Sequence, residues 1–330
     1  MANAIEITQS DIKDFKRCRQ LWDYRSTLRQ GLAPKWSGVH FKFGELFHRS
    51  LEQYYLGDTE PWHFFSKHAQ EMLAEAAEAP VYHFDSLLEQ MAMGPYLLKA
   101  YKDWAEAHDD FTVIDTEQRL TLRINDKTPG IFFGFRYDML IERDGRYWLM
   151  DFKTSRSMPS ELDEEIMQFD EQSMAYQWAA EQVLGKPIAG FMYTYIWKRM
   201  PTEPEILKSG ELTRRKNLVT TADMYYDTVV KHGLNVAKYR ETIARLRDSY
   251  DGKFFKRFYL RADQRQRERY AEVMKTVVDQ MIDPNVEIYP YVSPTNCRIC
   301  DFRNPCFARQ AGFSDKTILE TEYEPAEPRE

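Results

Sequence analysis

Apolar positions along this chain fall into two spacings, a three-to-four-residue recurrence and a strict alternation, and the order in which they appear outlines the fold. Thr8-Gln9-Ser10-Asp11 reads as a helix start, and the apolar and aromatic positions from Ile12 through Phe15, Trp22 and Leu28 suit an amphipathic helix. The same spacing predicts helices over 44–55, with His48 on the face of Leu51 and Tyr55, and over 61–79 and 84–107. Strands are then predicted at 111–115, 118–124, 131–142 and 146–153, followed by a helix over 163–184 and a strand rich in β-branched and aromatic residues at 188–197. Helices over 220–251 and 264–282 and a Pro-containing approach to three closely spaced cysteines complete the pattern. A strand meander, a helix and a further strand, bracketed by helices, indicate an α/β core with helical additions.

The most informative stretch is the hairpin from Gly134 to Ser155. Asp144-Gly145 is a strong turn signal between two apolar runs, and it folds Asp138 of the first strand back beside the end of the second. There Asp151 and Lys153, two residues apart, project to one face while Phe152 points to the other, buried side. Asp151 emerges from the apolar run Tyr147-Trp148-Leu149, and a charge leaving a buried strand calls for a partner. Two carboxylates and an ammonium at the mouth of a small sheet can hold a divalent metal and prepare a water for attack, a phosphodiesterase layout. A solvated surface strand can also end in Asp-x-Lys, so the triplet takes its weight from its context.

That context is a resemblance. The hairpin resembles motifs II and III of the PD-(D/E)XK nuclease superfamily, in its RecB-like branch. Gly44-Glu-Leu-Phe-His48 is similar to the upstream Gly-x-x-x-His element of that branch, and Gln172-Ser-Met-Ala-Tyr176 to its Gln-x-x-x-Tyr element on the helix after the catalytic strand. The resemblance implies a restriction-endonuclease-like fold, a small mixed central sheet flanked by helices. It also implies binding of Mg²⁺ or Mn²⁺ by His48, Asp138, Asp151 and the backbone carbonyl of Phe152, oxygen ligands suiting Mg²⁺ and the imidazole Mn²⁺. Asp138, Asp151, Lys153, Gln172 and Tyr176 are then the expected catalytic residues, Lys153 orienting the water or stabilising developing charge, and Glu117 is an accessory acid. One nuclease domain is expected over residues 1–315, its core at about 8–55, 110–200 and 290–310, with helical insertions at about 56–109 and 200–289. Residues 316–330, with the acidic Pro-containing run from Glu320 to Glu330, are expected to form a disordered tail.

The four cysteines are Cys18, Cys297, Cys300 and Cys306. The last three form Cys-x-x-Cys-x5-Cys, and in a chain without a secretory signal such a group favours metal over disulfides. On ligand count structural zinc is served equally well. The split of one N-terminal and three C-terminal cysteines resembles the 4Fe–4S staple of AddB-type, CRISPR-associated and exonuclease V-type members of the same branch, and implies a structural cluster clasping the two ends.

Charge refines the expected partner. The formal net charge of −7 conceals an asymmetry: residues 45–115 hold 14 acids against 4 Lys/Arg, whereas 195–275 hold 19 Lys/Arg against 11 acids. The second region carries Lys198-Arg199, Arg214-Arg215-Lys216, Lys253, Lys256-Arg257, Arg265, Arg267 and Arg269 among Tyr225, Tyr226, Tyr250, Phe254, Phe255, Phe258 and Tyr259. It reads as a surface for phosphates and unpaired bases, or as a solvated helical face over core aromatics. No apolar run reaches the ~18–20 residues that span a bilayer, so a cytoplasmic protein is expected. No Gly-x4-Gly-Lys-Ser/Thr loop marks an ATPase motor, although related nuclease domains act with a helicase or recombination partner. The expected activity is a metal-dependent DNA exonuclease acting on single-stranded or frayed DNA in recombination, repair, phage DNA metabolism or CRISPR adaptation. A structure-specific endonuclease and a non-catalytic DNA-binding partner subunit are the rival expectations.

Overall fold

The computed structural model describes residues 4–36, 39–125, 129–248 and 254–326. A short strand, β1 (Ile5–Thr8), precedes the first helix, which starts where the sequence places it and is closed by a capping box: Thr8 Oγ1 accepts the Asp11 amide and Asp11 Oδ2 accepts the Thr8 amide. The single helix expected through Leu28 is two, α1 (Gln9–Arg17) and α2 (Arg19–Arg25). Cys18 between them is extended, and its sulfur accepts the Tyr291 amide at 3.3 Å, an attachment to the far end of the chain that local spacing does not reveal. After β2 (Leu32–Pro34) come α3 (Val39–Leu56), α4 (Pro61–Glu75) and α5 (Val81–His108), which share one apolar interior built on Phe43, Phe47, Leu51, Phe65 and Tyr101.

The strands follow: β3 (Thr112–Thr116), β4 (Arg119–Arg123), β5 (Ile131–Arg136), β6 (Met139–Arg143) and β7 (Arg146–Ser155). The strand expected over 131–142 is therefore interrupted. β5 pairs with β1 and β4 in one sheet and β6 with β3 and β7 in another, so the chain changes sheets at Tyr137-Asp138. The apolar pattern changes there too: Phe133, Phe135 and Tyr137 alternate into one core, whereas Met139, Leu140 and Ile141 are buried consecutively, as in a strand covered on both faces. Asp138 is thus a residue of the crossover rather than of the hairpin strand. Asp144 and Gly145, at φ 51° and 68°, make the two-residue turn that was read from their identities.

The helix expected over 163–184 divides into α6 (Glu161–Met167) and α7 (Glu171–Leu184), because Asp170 leaves the helix to accept the Ser173 amide at 2.7 Å and cap α7. Strand β8 (Ile188–Trp197) then lies parallel to β7, with Asp151 opposite Tyr193. The helix expected over 220–251 is α8 (Ala222–Lys231), a 3₁₀ turn at Val236–Tyr239 capped by Asn235, and α9 (Arg240–Asp248). Beyond it, β9 (Phe255–Leu260) is a strand where basic aromatic surface was expected. Phe254, Phe255, Phe258 and Tyr225 are buried, and only Tyr226 and Tyr259 of the described aromatics in that set stay exposed; Tyr250 and Lys253 lie outside the described residues.

The main sheet runs β3-β6-β7-β8-β9, mixed in direction. Trp148, Met150, Phe152, Met192 and Ile196 meet the α3–α5 layer, and Leu149, Phe191, Tyr193 and Phe258 meet the other core, which includes Met174 and Ala175 of α7 and Met274 and Val278 of α10 (Gln264–Met281). The sheet is thus covered on both faces, the restriction-endonuclease-like arrangement expected. The chain ends in α11 (Pro294–Arg298), α12 (Arg303–Gln310), α13 (Lys316–Glu322) and β10 (Tyr323–Pro325). This last pair replaces most of the expected tail: β10 pairs antiparallel with β2, and Tyr323 is buried against Phe302 with ring centroids 4.9 Å apart. Leu319 and Tyr323, four residues apart, are the apolar signal for it. Among the described residues no helix is long and apolar enough to cross a membrane.

Candidate active site

The end of β7 delivers Asp151 and Lys153 to one face of the sheet, and three neighbouring elements complete the group. The sheet-changing segment supplies Asp138, whose Oδ2 accepts the Phe152 amide at 2.6 Å and lies 3.3 Å from His48 Nδ1 on α3. Lys153 Nζ stands 2.7 Å from Asp151 Oδ2. From α7, Gln172 spans the pair: its Nε2 donates to Asp151 Oδ1 at 3.2 Å and its Oε1 accepts from Lys153 at 3.4 Å. His48, Asp138, Asp151, Lys153 and Gln172, spread over 125 residues of sequence, form one contiguous cluster.

Phe152, on the opposite face, is buried at 1% exposure and wedged against Tyr55, Tyr101 and the His48 ring. Tyr176, one turn past Gln172, packs among Phe133, Phe135 and Phe191. Burial and the Asp151 charge push its phenol up to about 12, so it remains a neutral donor.

Burial raises the Asp151 carboxyl, and the Asp138 charge adds to it against the opposing pull of Lys153. Burial also acts on Asp138, but His48 and the Phe152 amide outweigh it and hold that carboxyl below its ordinary range. For Lys153 the carboxylates overcome the cost of burial and the ammonium is held firmly charged. His48 is raised in the same way, Asp138 prevailing over burial.

Two acids that spacing alone does not single out as a pair join the rim. Glu52 lies one helical turn beyond His48 on α3, and its carboxyl is raised, mainly by burial. Glu117, the expected accessory acid, has φ 48°, a side chain 16% exposed and an ion pair to Arg136 at 3.2 Å. Burial first, then Asp138, push it up to about 7. Tyr193, opposite Asp151 across the parallel pair, places its ring 5.1 Å from Lys153 Nζ; the β7–β8 register is the signal that locates it.

Among the described residues no three His, Cys, Asp or Glu side chains already stand at metal-holding spacing. The donor chemistry nevertheless fits a hard divalent cation. Asp151 Oδ2 is buried, with the Lys153 ammonium 2.7 Å away. One imidazole and two carboxylates converge on that side.

The cysteines form a second cluster. None is in a disulfide, and all four line one small cavity with Leu21, Tyr24 and Phe302. Burial, reinforced by Cys18, Cys300 and Cys297, pushes the Cys306 thiol up to about 11. Burial raises the Cys300 thiol too, so the sulfurs of this cavity would have to lose protons to bind a cation.

No curated protein matches the chain. One solved structure similar to it is the crystal structure of SSO0001, 12% identical over 90% of this chain and 83% of that one, with a TM-score of 0.32, too low to support any argument. The family comparison is of another order: residues 6–307 match the PD-(D/E)XK nuclease superfamily, a span that takes in every site residue named above. With that match over nearly the whole sequence, and the Asp138, Asp151 and Lys153 positions gathered at the end of a central strand, the chain belongs to the PD-(D/E)XK nuclease superfamily.

Proposed function

We propose that this protein is a Mg²⁺- or Mn²⁺-dependent deoxyribonuclease of the RecB-like branch, an exonuclease hydrolysing single-stranded or frayed DNA. The observation that carries the reading is the convergence of His48, Asp138, Asp151, Lys153 and Gln172 at the end of β7. In this reading His48, Asp138, Asp151 and the Phe152 carbonyl hold the cation, which supplies an acidified water and neutralises phosphate charge.

The chain's own groups do the rest. Lys153, held charged by its carboxylate neighbours, cannot act as a base; it donates to the phosphate oxygen on which charge grows as water attacks phosphorus and the P–O ester bond breaks. Gln172 is a positioning residue that fixes Asp151 and Lys153 relative to one another. The Tyr176 phenol, neutral and braced by three rings, orients substrate phosphate. The four cysteines hold a 4Fe–4S cluster in this reading, which the resemblance favours over zinc.

Cleavage of end-labelled single-stranded DNA with Mn²⁺ tests the proposal. Lys153→Ala, with an unchanged melting temperature, should lose about 10²–10³-fold in rate, and covalently closed circles should survive the wild type. Wild-type protein that leaves single-stranded, duplex and flapped DNA intact would overturn the reading.

A further inference from the structure

The carboxyl ends of β7 and β8 lie side by side, Ser155 opposite Trp197, and each strand runs on into basic residues: Arg156 after one, Lys198 and Arg199 after the other. The Lys198 amide donates to the Ser155 carbonyl at 2.6 Å and ties the two ends together. Between them and the segment 217–219 opens a pocket lined by Arg156, Met158, Trp197, Asn217, Leu218 and Val219. Its lining is largely apolar, with Arg156 as its charged member.

Trp197 is fixed within it. Indole Nε1–H donates to the Arg156 carbonyl at 2.9 Å, Phe254 supports the ring at 5.5 Å, and the Arg199 guanidinium lies 4.8 Å from its centroid. Arg214, Arg215 and Lys216 lead directly into the pocket wall, and Arg245 secures that loop by donating to the Arg214 and Arg215 carbonyls at 3.1 and 3.3 Å. The Lys198 ammonium lies 5.3 Å from the Phe43 ring centroid, and burial first, then the Arg156 guanidinium, push it down to about 8.

We propose that this pocket is a subsite for an unpaired nucleobase of the strand being cut, stacked on Trp197 with its flanking phosphates on Arg156 and Arg199. The inference rests on the nuclease reading and gives it a substrate preference. Arg156 lies three residues past Lys153 along an extended strand, about 10 Å, a reach of roughly three stacked nucleotides at ~3.4 Å each. A rigid indole already covered by the planar Arg199 guanidinium suits a base, which would take that place and leave the arginine to a flanking phosphate, since stacking is tolerant of base identity while cations hold the backbone. A paired base keeps its faces covered by its neighbours, so the pocket favours unpaired strands.

The test is fluorescence anisotropy in EDTA, where nothing is cut, with a duplex whose single-stranded overhang fixes the register. An abasic site is moved one nucleotide at a time along the overhang. Wild type should lose about 5- to 100-fold in affinity at one overhang position. Trp197→Ala, and Leu218→Asp as a second variant, should abolish that position dependence, Trp197→Phe should keep most of it, and Arg156→Ala/Arg199→Ala should weaken every overhang alike and flatten the salt dependence. A flat abasic profile in the wild type, or an unchanged one in correctly folded Trp197→Ala and Leu218→Asp, overturns the subsite. The positional profile in a protein that never cleaves DNA would uphold the subsite and overturn the nuclease reading alone.

Discussion

Arg257 of β9 is the most demanding residue of the interior away from the active site. Its side chain is 5% exposed, faces the rings of Trp104 and Phe111 at 4.6 and 5.1 Å, and forms an ion pair with Asp109, the residue that ends α5. The pair is further bonded: Arg257 donates to the His108 carbonyl at 2.7 Å, and Asp109 accepts the Tyr55 hydroxyl at 2.9 Å. Asp109→Ala would leave a guanidinium buried against two aromatic rings with its countercharge gone, a loss of about 3–5 kcal/mol. That is a large part of the roughly 5–15 kcal/mol that holds a domain together. At about 2 °C per kcal/mol for a chain of this size, the melting temperature should fall by roughly 6–10 °C. The double variant Asp109→Ala/Arg257→Met removes the orphan charge and keeps the bulk, and should recover most of the loss. Thermal melts by circular dichroism and urea midpoints read both. A single variant within about 1 kcal/mol of wild type, or a double variant at the sum of the singles, would refute the argument.

Glu117, whose carboxyl rises from an ordinary 4.5 to about 7 in the fold, binds a proton over a range where the unfolded chain has released it. Stability of the metal-free protein should therefore fall as pH rises through 4.5–7 and level off above, by up to about 3 kcal/mol; Glu117→Gln should flatten urea midpoints over that window in EDTA, and parallel profiles would count against it. Gly190→Ala would set a methyl 2.3 Å from the Trp148 ring and 2.7 Å from the Leu260 carbonyl of β9, which as backbone cannot rotate aside. A cost of about 1–3 kcal/mol should lower its melting temperature, and an unshifted melt would refute the clash. Cys306→Ala in anaerobically purified protein should lose the bound metal found by elemental analysis in the wild type, together with several degrees of stability; a wild type free of iron and zinc would end the cluster proposal.

The cluster at the end of β7 was legible as a candidate site because its members sit in local patterns that survive folding. Asp151 and Lys153 are two apart on a strand, Asp144-Gly145 dictates the turn, and Gln172 and Tyr176 are one helical turn apart. Elements made by distant pairing were not legible. β1, β2 and β10 are three or four residues long and exist through partners far along the chain, β5 for the first and each other for the remaining two. β9 was given no element because Phe255-Lys-Arg-Phe-Tyr-Leu260 has no clean alternation: Phe255 faces one core and Phe258 and Leu260 the other, an arrangement that appears only with the pairing to β8. The breaks at Cys18, Tyr137-Asp138 and Asp170 share one feature, a side chain bonded to a distant element, which periodicity does not record: Cys18 to the Tyr291 amide, Asp138 to the Phe152 amide and Asp170 to the Tyr193 hydroxyl.

The union of the two ends also sets a timetable for synthesis. Cys18 shares its cavity with Cys297, Cys300 and Cys306, and β2 waits for β10. At about 5–20 residues per second, Cys306 leaves the ribosome roughly 15–60 seconds after Cys18. During that interval Leu21 and Tyr24, buried in the finished protein beside Phe302 and Tyr323, have nothing to cover them. The apolar seam around Leu21 and Tyr24 thus stays open until Phe302 and Tyr323 have been made.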